Sequence, residues 1–237
     1  DAYTAGGFAG KRPDRAVIVY CQKIREYFGD IPLAIGGLEA SLRRFAHYDY
    51  WDDAVRPSIL VDSGADLLMY GMGEHQIKEL CTRLANGENI KDIHDIRGTC
   101  YLTEPVNTPL GSAQCPSFEQ VRDNKTEYAK ATKIQYDWQD EVYGKTVIQR
   151  HGKMMLVQNP PAYSLTTEEL DYIYSLPYMK AYHPSYEELG GVPGIEEVRF
   201  SITHNRGCFG YCNFCSIALH QGRRVTCRSE KSILEEA

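Results

Sequence analysis

The sequence predicts an α/β protein: a partial open parallel sheet, a connector, and then a βα unit that opens a second element. Three observations predict it. Short apolar runs alternate with amphipathic helical stretches over residues 13–98, and two of those runs end in the glycine loops Gly36-Gly37 and Gly71-Met72-Gly73. Farther on, Val198-Arg199-Phe200-Ser201-Ile202-Thr203 alternates as a strand should. Open sheets of this kind place their ligand crevice at the strand carboxyl ends.

Taken in order, Pro13 suits a first helical position, and Val17, Tyr20, Cys21, Ile24 and Phe28 share a helical face, although Val17-Ile18-Val19 would also suit a strand. Gly29-Asp30 stops this element. Pro32-Leu33-Ala34-Ile35 reads as a buried strand, followed by a helix from about Glu39 to His47. Ile59-Leu60-Val61 and Leu67-Leu68-Met69-Tyr70 are further apolar runs, the second leading into a helix through Ile77, Leu80, Cys81 and Leu84. Residues 99–194 read as a connector. It holds a charged helix over Ser117–Asp140, a hairpin around His151-Gly152, and a short helix through Leu170 and Ile173 capped by Thr166 or Thr167. Residues 195–237 carry the alternating strand, a cysteine loop and a helix from near Ser229. The chain opens without methionine and stops inside that helix, so it reads as a fragment of a longer protein.

With 43% hydrophobic and 24% charged residues, the composition is that of an ordinary globular protein. The longest apolar run, Ala16 to Cys21, is far too short to span a bilayer, and no secretory leader is visible. A net charge of -6 does not indicate nucleic-acid binding. Of the eight cysteines, Cys21, Cys81, Cys100 and Cys115 are scattered while three crowd into one loop, which points to a reducing, cytoplasmic setting and to metal.

That loop is Cys208-Phe209-Gly210-Tyr211-Cys212-Asn213-Phe214-Cys215, with spacing C-x3-C-x2-C. Three soft thiols this close can converge on one metal and leave a coordination position unfilled by protein. A structural zinc site or a four-thiolate electron-transfer cluster would need a fourth ligand, and Cys227, ahead of His204 or His220, is the candidate. Cys212 and Cys215 alone would suit a redox pair, for which Cys208 is unneeded.

Several stretches carry a resemblance: Phe200–Gly207 before the loop and His220-Gln221-Gly222-Arg223 after it, Ile35–Trp51, Tyr70–Glu74, Asp95–Thr99 and Gln158–Ala162. Together they resemble the YgiQ-type radical SAM proteins over nearly the whole chain. The resemblance implies a truncated cobalamin-binding-like Rossmann module over residues 1–98, the connector, and the first βα unit of a radical SAM partial TIM barrel from residue 195. It further implies that Cys208, Cys212 and Cys215 hold three irons of a [4Fe-4S] cluster while S-adenosylmethionine chelates the fourth. One electron, from a donor such as flavodoxin or ferredoxin, would then cleave S-adenosylmethionine to methionine and a 5′-deoxyadenosyl radical acting on an unassigned substrate. Phe214 is placed to pack near the adenine or to anchor the loop as a core aromatic. Gly207 and Gly210 would let the backbone bend around the cluster. Tyr211 departs from the pattern, which expects a glycine there.

Other features have plainer readings. Asp92-Ile93-His94-Asp95-Ile96-Arg97-Gly98 matches a D-x-H-x-x-G cobalamin motif but follows the first glycine pair instead of preceding it, so His94 reads as a solvated or capping residue and cobalamin is not expected. Glu39 and Glu74 read as helix N-terminal acids. Arg43-Arg44, with Lys23 and Arg25, reads as a solvated basic face. Arg223, Arg224 and Arg228 stand close enough in sequence to the loop to meet an anion or to form surface ion pairs.

Overall fold

The computed structural model describes residues 1–212 and 214–237. Its first elements are α1 (Ala16–Phe28), β1 (Ala34–Ile35), α2 (Gly37–Leu42), β2 (His47–Asp49), β3 (Ala54–Arg56), α3 (Ile59–Ser63) and β4 (Leu67–Met69). Next come α4 (Glu74–Ala85), β5 (Thr99–Thr103), β6 (Ala113–Gln114), α5 (Phe118–Asp123), α6 (Lys125–Asp137), β7 (Val147–His151) and β8 (Met154–Gln158). The last are α7 (Thr167–Tyr174), α8 (Ile195–Val198), β9 (Asn205–Arg206), α9 (Ile217–Gln221), β10 (Thr226–Cys227) and α10 (Glu230–Glu236). Two compact units result, one of residues 17–164 and 207–225, the other of residues 1–16, 165–206 and 226–237.

The larger unit is built on a six-stranded sheet of order β1-β4-β5-β8-β7-β6. The α/β class holds, but the pairing is mixed: β1 with β4 and β6 with β7 are parallel, and the three pairings between them are antiparallel. The boundary expected at residue 98 runs through this sheet, because Leu68 of β4 lies opposite Cys100 of β5. The stretch read as a connector thus supplies four of the six strands.

Period-two alternation divides the strands between two apolar layers. Leu68, Cys100, Val147 and Leu156 face one layer, with Cys21 of α1, Ala40 of α2 and Val121 of α5. Leu67, Tyr101, Ile148 and Val157 face the other, with Leu80 of α4 and Ile93. Helix α1 presents Val17, Ile18, Cys21 and Ile24 to the first layer, while Tyr20 and Phe28, expected on that face, are exposed. The charged helix of the connector is two helices, because the Asn124 side chain caps a new start by accepting from the Thr126 amide.

Buried in the larger unit, the His151 imidazole stacks on Phe118 and bonds Gln149 through Nε2 at 3.2 Å. Burial pushes its pKa down to about 4, against the pull of Glu119 and Asp62 and with a further push from His47. The unfolded chain therefore binds this proton first. Stability from His151 is whole above about pH 6.5 and is lost as pH falls toward about 4, by about 3 kcal/mol for a shift of this size. His151→Gln should remove most of that pH dependence in denaturation curves between those limits. An unchanged slope would refute the assignment.

In the smaller unit, Thr166, one of the two threonines expected to cap α7, does so in a reciprocal box with Glu169. Arg228 is buried, bonding the Thr203 carbonyl and the Glu236 carboxylate, and its guanidinium lies 4.2 Å from the Tyr174 ring centre. The strand expected over residues 198–203 is not formed: α8 ends at Val198 and residues 199–204 are irregular. The alternating Val198, Phe200 and Ile202 are all exposed, Phe200 by 91%, so this face buries nothing. Pro193-Gly194 followed by Glu196 and Glu197 instead favours a helix start.

Candidate metal centre and adjoining cleft

The cysteine loop runs from Gly207 to Ser216, between the end of β9 and α9. Gly207 has φ +86°, and a β-carbon there would stand 1.9 Å from the Arg224 carbonyl oxygen. Only glycine fits, and its absent side chain lets the two ends of the loop close. Closure is fastened by the Gly207 amide to Gln221 Oε1 at 3.0 Å and the Cys208 amide to the Gly222 carbonyl at 3.1 Å.

Within the loop, the Gly210 amide donates to the Cys208 sulfur at 3.3 Å. A methyl group at Gly210 would stand 3.4 Å from the Cys208 sulfur and 3.8 Å from that of Cys212, so both thiols flank the space this glycine leaves open. The Cys215 amide bonds the Cys212 carbonyl at 3.0 Å. All eight cysteines are free thiols. Among the described residues no three His, Cys, Asp or Glu side chains form a ready-made metal cage. Cys227, on β10 opposite Asn205, belongs to the other compact unit. Phe214 is 91% exposed in this chain and packs on no core within it.

Tyr211 has φ +50°, backbone that glycine adopts freely and tyrosine only at a cost of about 1 kcal/mol. Its ring offsets this by lying 4.0 Å from the Arg223 guanidinium and edge-on to Tyr136 at 4.7 Å. Tyr211→Gly should therefore be near neutral, whereas Tyr211→Ala keeps the strained backbone, loses both contacts and should be less stable than the glycine variant by about 1 kcal/mol. An alanine variant as stable as the glycine one in urea denaturation would contradict this.

The loop rests on the sheet through a polar relay. Arg44, read as part of a solvated face, is only 4% exposed. It lies just past the end of α2, in the bend that follows, and donates to Gln158 Oε1 at 2.6 Å, Gln139 Oε1 at 2.8 Å and the Ser41 carbonyl. Gln139 Nε2 in turn donates to the Leu219 carbonyl of α9 at 3.2 Å. The glycine loop after β4 meets the same helix: Gly71 takes φ +74°, accepts no bulk before the His220 carbonyl, 3.3 Å from where its β-carbon would be, and donates its amide to Ser41 Oγ. The strand carboxyl ends thus receive the protein's own α9.

Beside this contact lies a cleft of ≈ 380 Å³. Its walls are Tyr70–Met72, Gln139–Val142, Pro161–Ser164 and His220–Arg224, four segments of the larger unit. The residues of the D-x-H-x-x-G motif serve structure: His94 stacks on Tyr101 at 4.1 Å and its carbonyl accepts from Asn159.

Comparison with known proteins agrees with this architecture. The chain belongs to the family described as Radical SAM N-terminal, whose model matches residues 1–201 and so stops short of the cysteine loop. Over 237 residues it is 55% identical to a UPF0313 protein of Clostridium botulinum (Type A), covering 100% of this chain and 37% of that relative. It is 56% identical over 238 residues to a UPF0313 protein of Clostridium perfringens (strain SM101), covering 100% and 36%. Both findings bear out the resemblance read from the sequence, and the chain spans little more than a third of these relatives. No solved structure matches. Among the described residues no helix is long and apolar enough to cross a membrane.

Proposed function

We propose that this chain carries the cofactor-binding entry of a radical S-adenosylmethionine enzyme. The observation that carries the reading is the C-x3-C-x2-C loop, in which the Cys208 and Cys212 sulfurs flank the open space at Gly210. Cys208, Cys212 and Cys215 would hold three irons of a [4Fe-4S] cluster as thiolates, leaving the fourth for S-adenosylmethionine. Cys215, whose amide bonds the Cys212 carbonyl, would be the third ligand. When bound, the pair of cofactors supplies one-electron cleavage of the sulfonium to methionine and a 5′-deoxyadenosyl radical that abstracts substrate hydrogen, the electron coming from a flavodoxin- or ferredoxin-like donor.

The chain's own residues have defined tasks. Gly207 closes the loop onto the Arg224 backbone, and the amides of Gly207 and Cys208 lock that closure. Gly210 keeps the space between the two sulfurs free of side chain. Phe214, exposed beside Cys215, is available to stack on an adenine ring. Helix α9, held by Gln139, fixes the far end of the loop.

Metal analysis of anaerobically purified full-length protein tests the proposal. About four irons and four sulfides per chain are expected. Stoichiometric zinc without sulfide would refute it.

A further inference from the structure

Resting on that reading, we propose that the cleft beside the cysteine loop anchors the anionic end, a carboxylate or phosphate, of the small-molecule substrate. The site lies where an open α/β sheet places its ligands. Strands β4 and β8 run the same way, since each is antiparallel to β5, and the chain leaving both carboxyl ends lines the cleft. The fourth wall, His220–Arg224, is the segment whose Gly222 carbonyl holds the Cys208 amide, so cleft and loop share a backbone hinge. A cavity of ≈ 380 Å³ falls within the range of metabolite sites, about 300–1,000 Å³.

Charge decides the ligand class. Three arginines in or directly behind these walls make no close ion pair with a carboxylate among the described residues, although the charge of Arg223 acts on Asp140. Arg223, in the wall, bonds the Tyr136 carbonyl and lies against the rings of both Tyr136 and Tyr211, which meet each other edge-on. Its Nε is buried without a hydrogen-bond partner. Arg97 holds the Pro161 and Glu141 carbonyls at 3.0 and 2.7 Å and stacks on Tyr163. Arg44 stands behind Tyr70 and Gln139, 4.6 Å from the Tyr70 ring centre. Arg224 adds an exposed fourth cation, 3.3 Å from Glu141.

The two acids of the wall are already committed. Asp140 accepts the amides of Val142 and Tyr143, and Glu141 accepts the amide and hydroxyl of Ser164 as well as Arg224. Four cations against two occupied carboxylates leave a positive cleft, although the chain as a whole carries -6. Planar guanidinium groups match the two oxygens of a carboxylate or phosphate. Arg224, on the rim, can exchange Glu141 for such a ligand at little cost, because the exposed pair contributes little.

Calorimetric titration of the full-length protein with malonate and, separately, inorganic phosphate, at ionic strength held constant with chloride, tests this. Saturable binding of at least one is expected, weakened about three- to fivefold by Arg224→Gln. Arg223→Gln should weaken it further, and the exposed Arg224 site keeps the test decisive should the half-buried Arg223 variant fail to fold. Cys212→Ser should bind the same anion as wild type, so loss of the iron centre and loss of this site are separable. No saturable binding, or binding unchanged by Arg224→Gln, overturns the proposal. Displacement of the anion by S-adenosylmethionine from cluster-loaded protein would assign the site to that cofactor's carboxylate and overturn it equally.

Discussion

Single replacement of Cys208, Cys212 or Cys215 by alanine in the full-length protein is expected to reduce bound iron from about four per chain to below about one, and with it all S-adenosylmethionine cleavage. A cluster held by three protein thiolates has no donor to spare. The Cys208 and Cys212 sulfurs flank the space at Gly210, and Cys215 is tied to the same turn through its amide. Cys227→Ala should leave the iron untouched. That residue pairs with Asn205 in β10, and the three-thiol reading gives it no metal to hold. Iron analysis and visible absorption of the four variants, purified anaerobically, decide the matter. If Cys227→Ala loses metal as completely as the others, the centre has four protein ligands and the open-site reading fails.

The second large effect falls on the sheet, not the loop. Arg44→Ala should destabilise the larger unit by about 4 kcal/mol, because it strands buried acceptors on Gln158, Gln139 and the Ser41 carbonyl, each worth about 1–3 kcal/mol when left unmet. Gln158 is fully buried and Gln139 nearly so, which denies them water as a substitute. Arg44→Lys should recover only part of the loss, since one ammonium cannot reach two amides and a carbonyl in the planar fork that guanidinium provides. The damage should spread to the loop, because the Gln139 freed from Arg44 is the residue that bonds α9. Thermal melting should show a fall of about 10 °C, with weakened iron retention. A variant melting within a degree or two of wild type would show that the relay carries no load.

Which of these features the sequence discloses depends on the range of the interaction. Thr166 and Glu169 announce the start of α7 because a capping box is complete within four residues, and the hairpin around His151-Gly152 is equally local. The cysteine spacing is local too, as is the oddity of Tyr211, which the backbone at φ +50° explains. Sequence pattern and structure diverge where a partner lies far away along the chain. Thr99–Thr103 became a strand by pairing with β4 and β8, and Arg44 was drawn inward by Gln139 and Gln158, about a hundred residues along the chain. Val198–Thr203 shows the converse, since alternation predicts a strand only where one face finds something to cover it. The cleft was illegible, being assembled from four segments with no shared motif.

Electron paramagnetic resonance of the reduced, anaerobically reconstituted full-length protein, recorded before and after addition of S-adenosylmethionine, tests the central claim most directly. The account predicts a [4Fe-4S] signal whose shape changes on addition, because an iron left open by Cys208, Cys212 and Cys215 accepts the new ligand. A signal that S-adenosylmethionine leaves unaltered would mean a closed centre, and the proposed chemistry would have no place to occur.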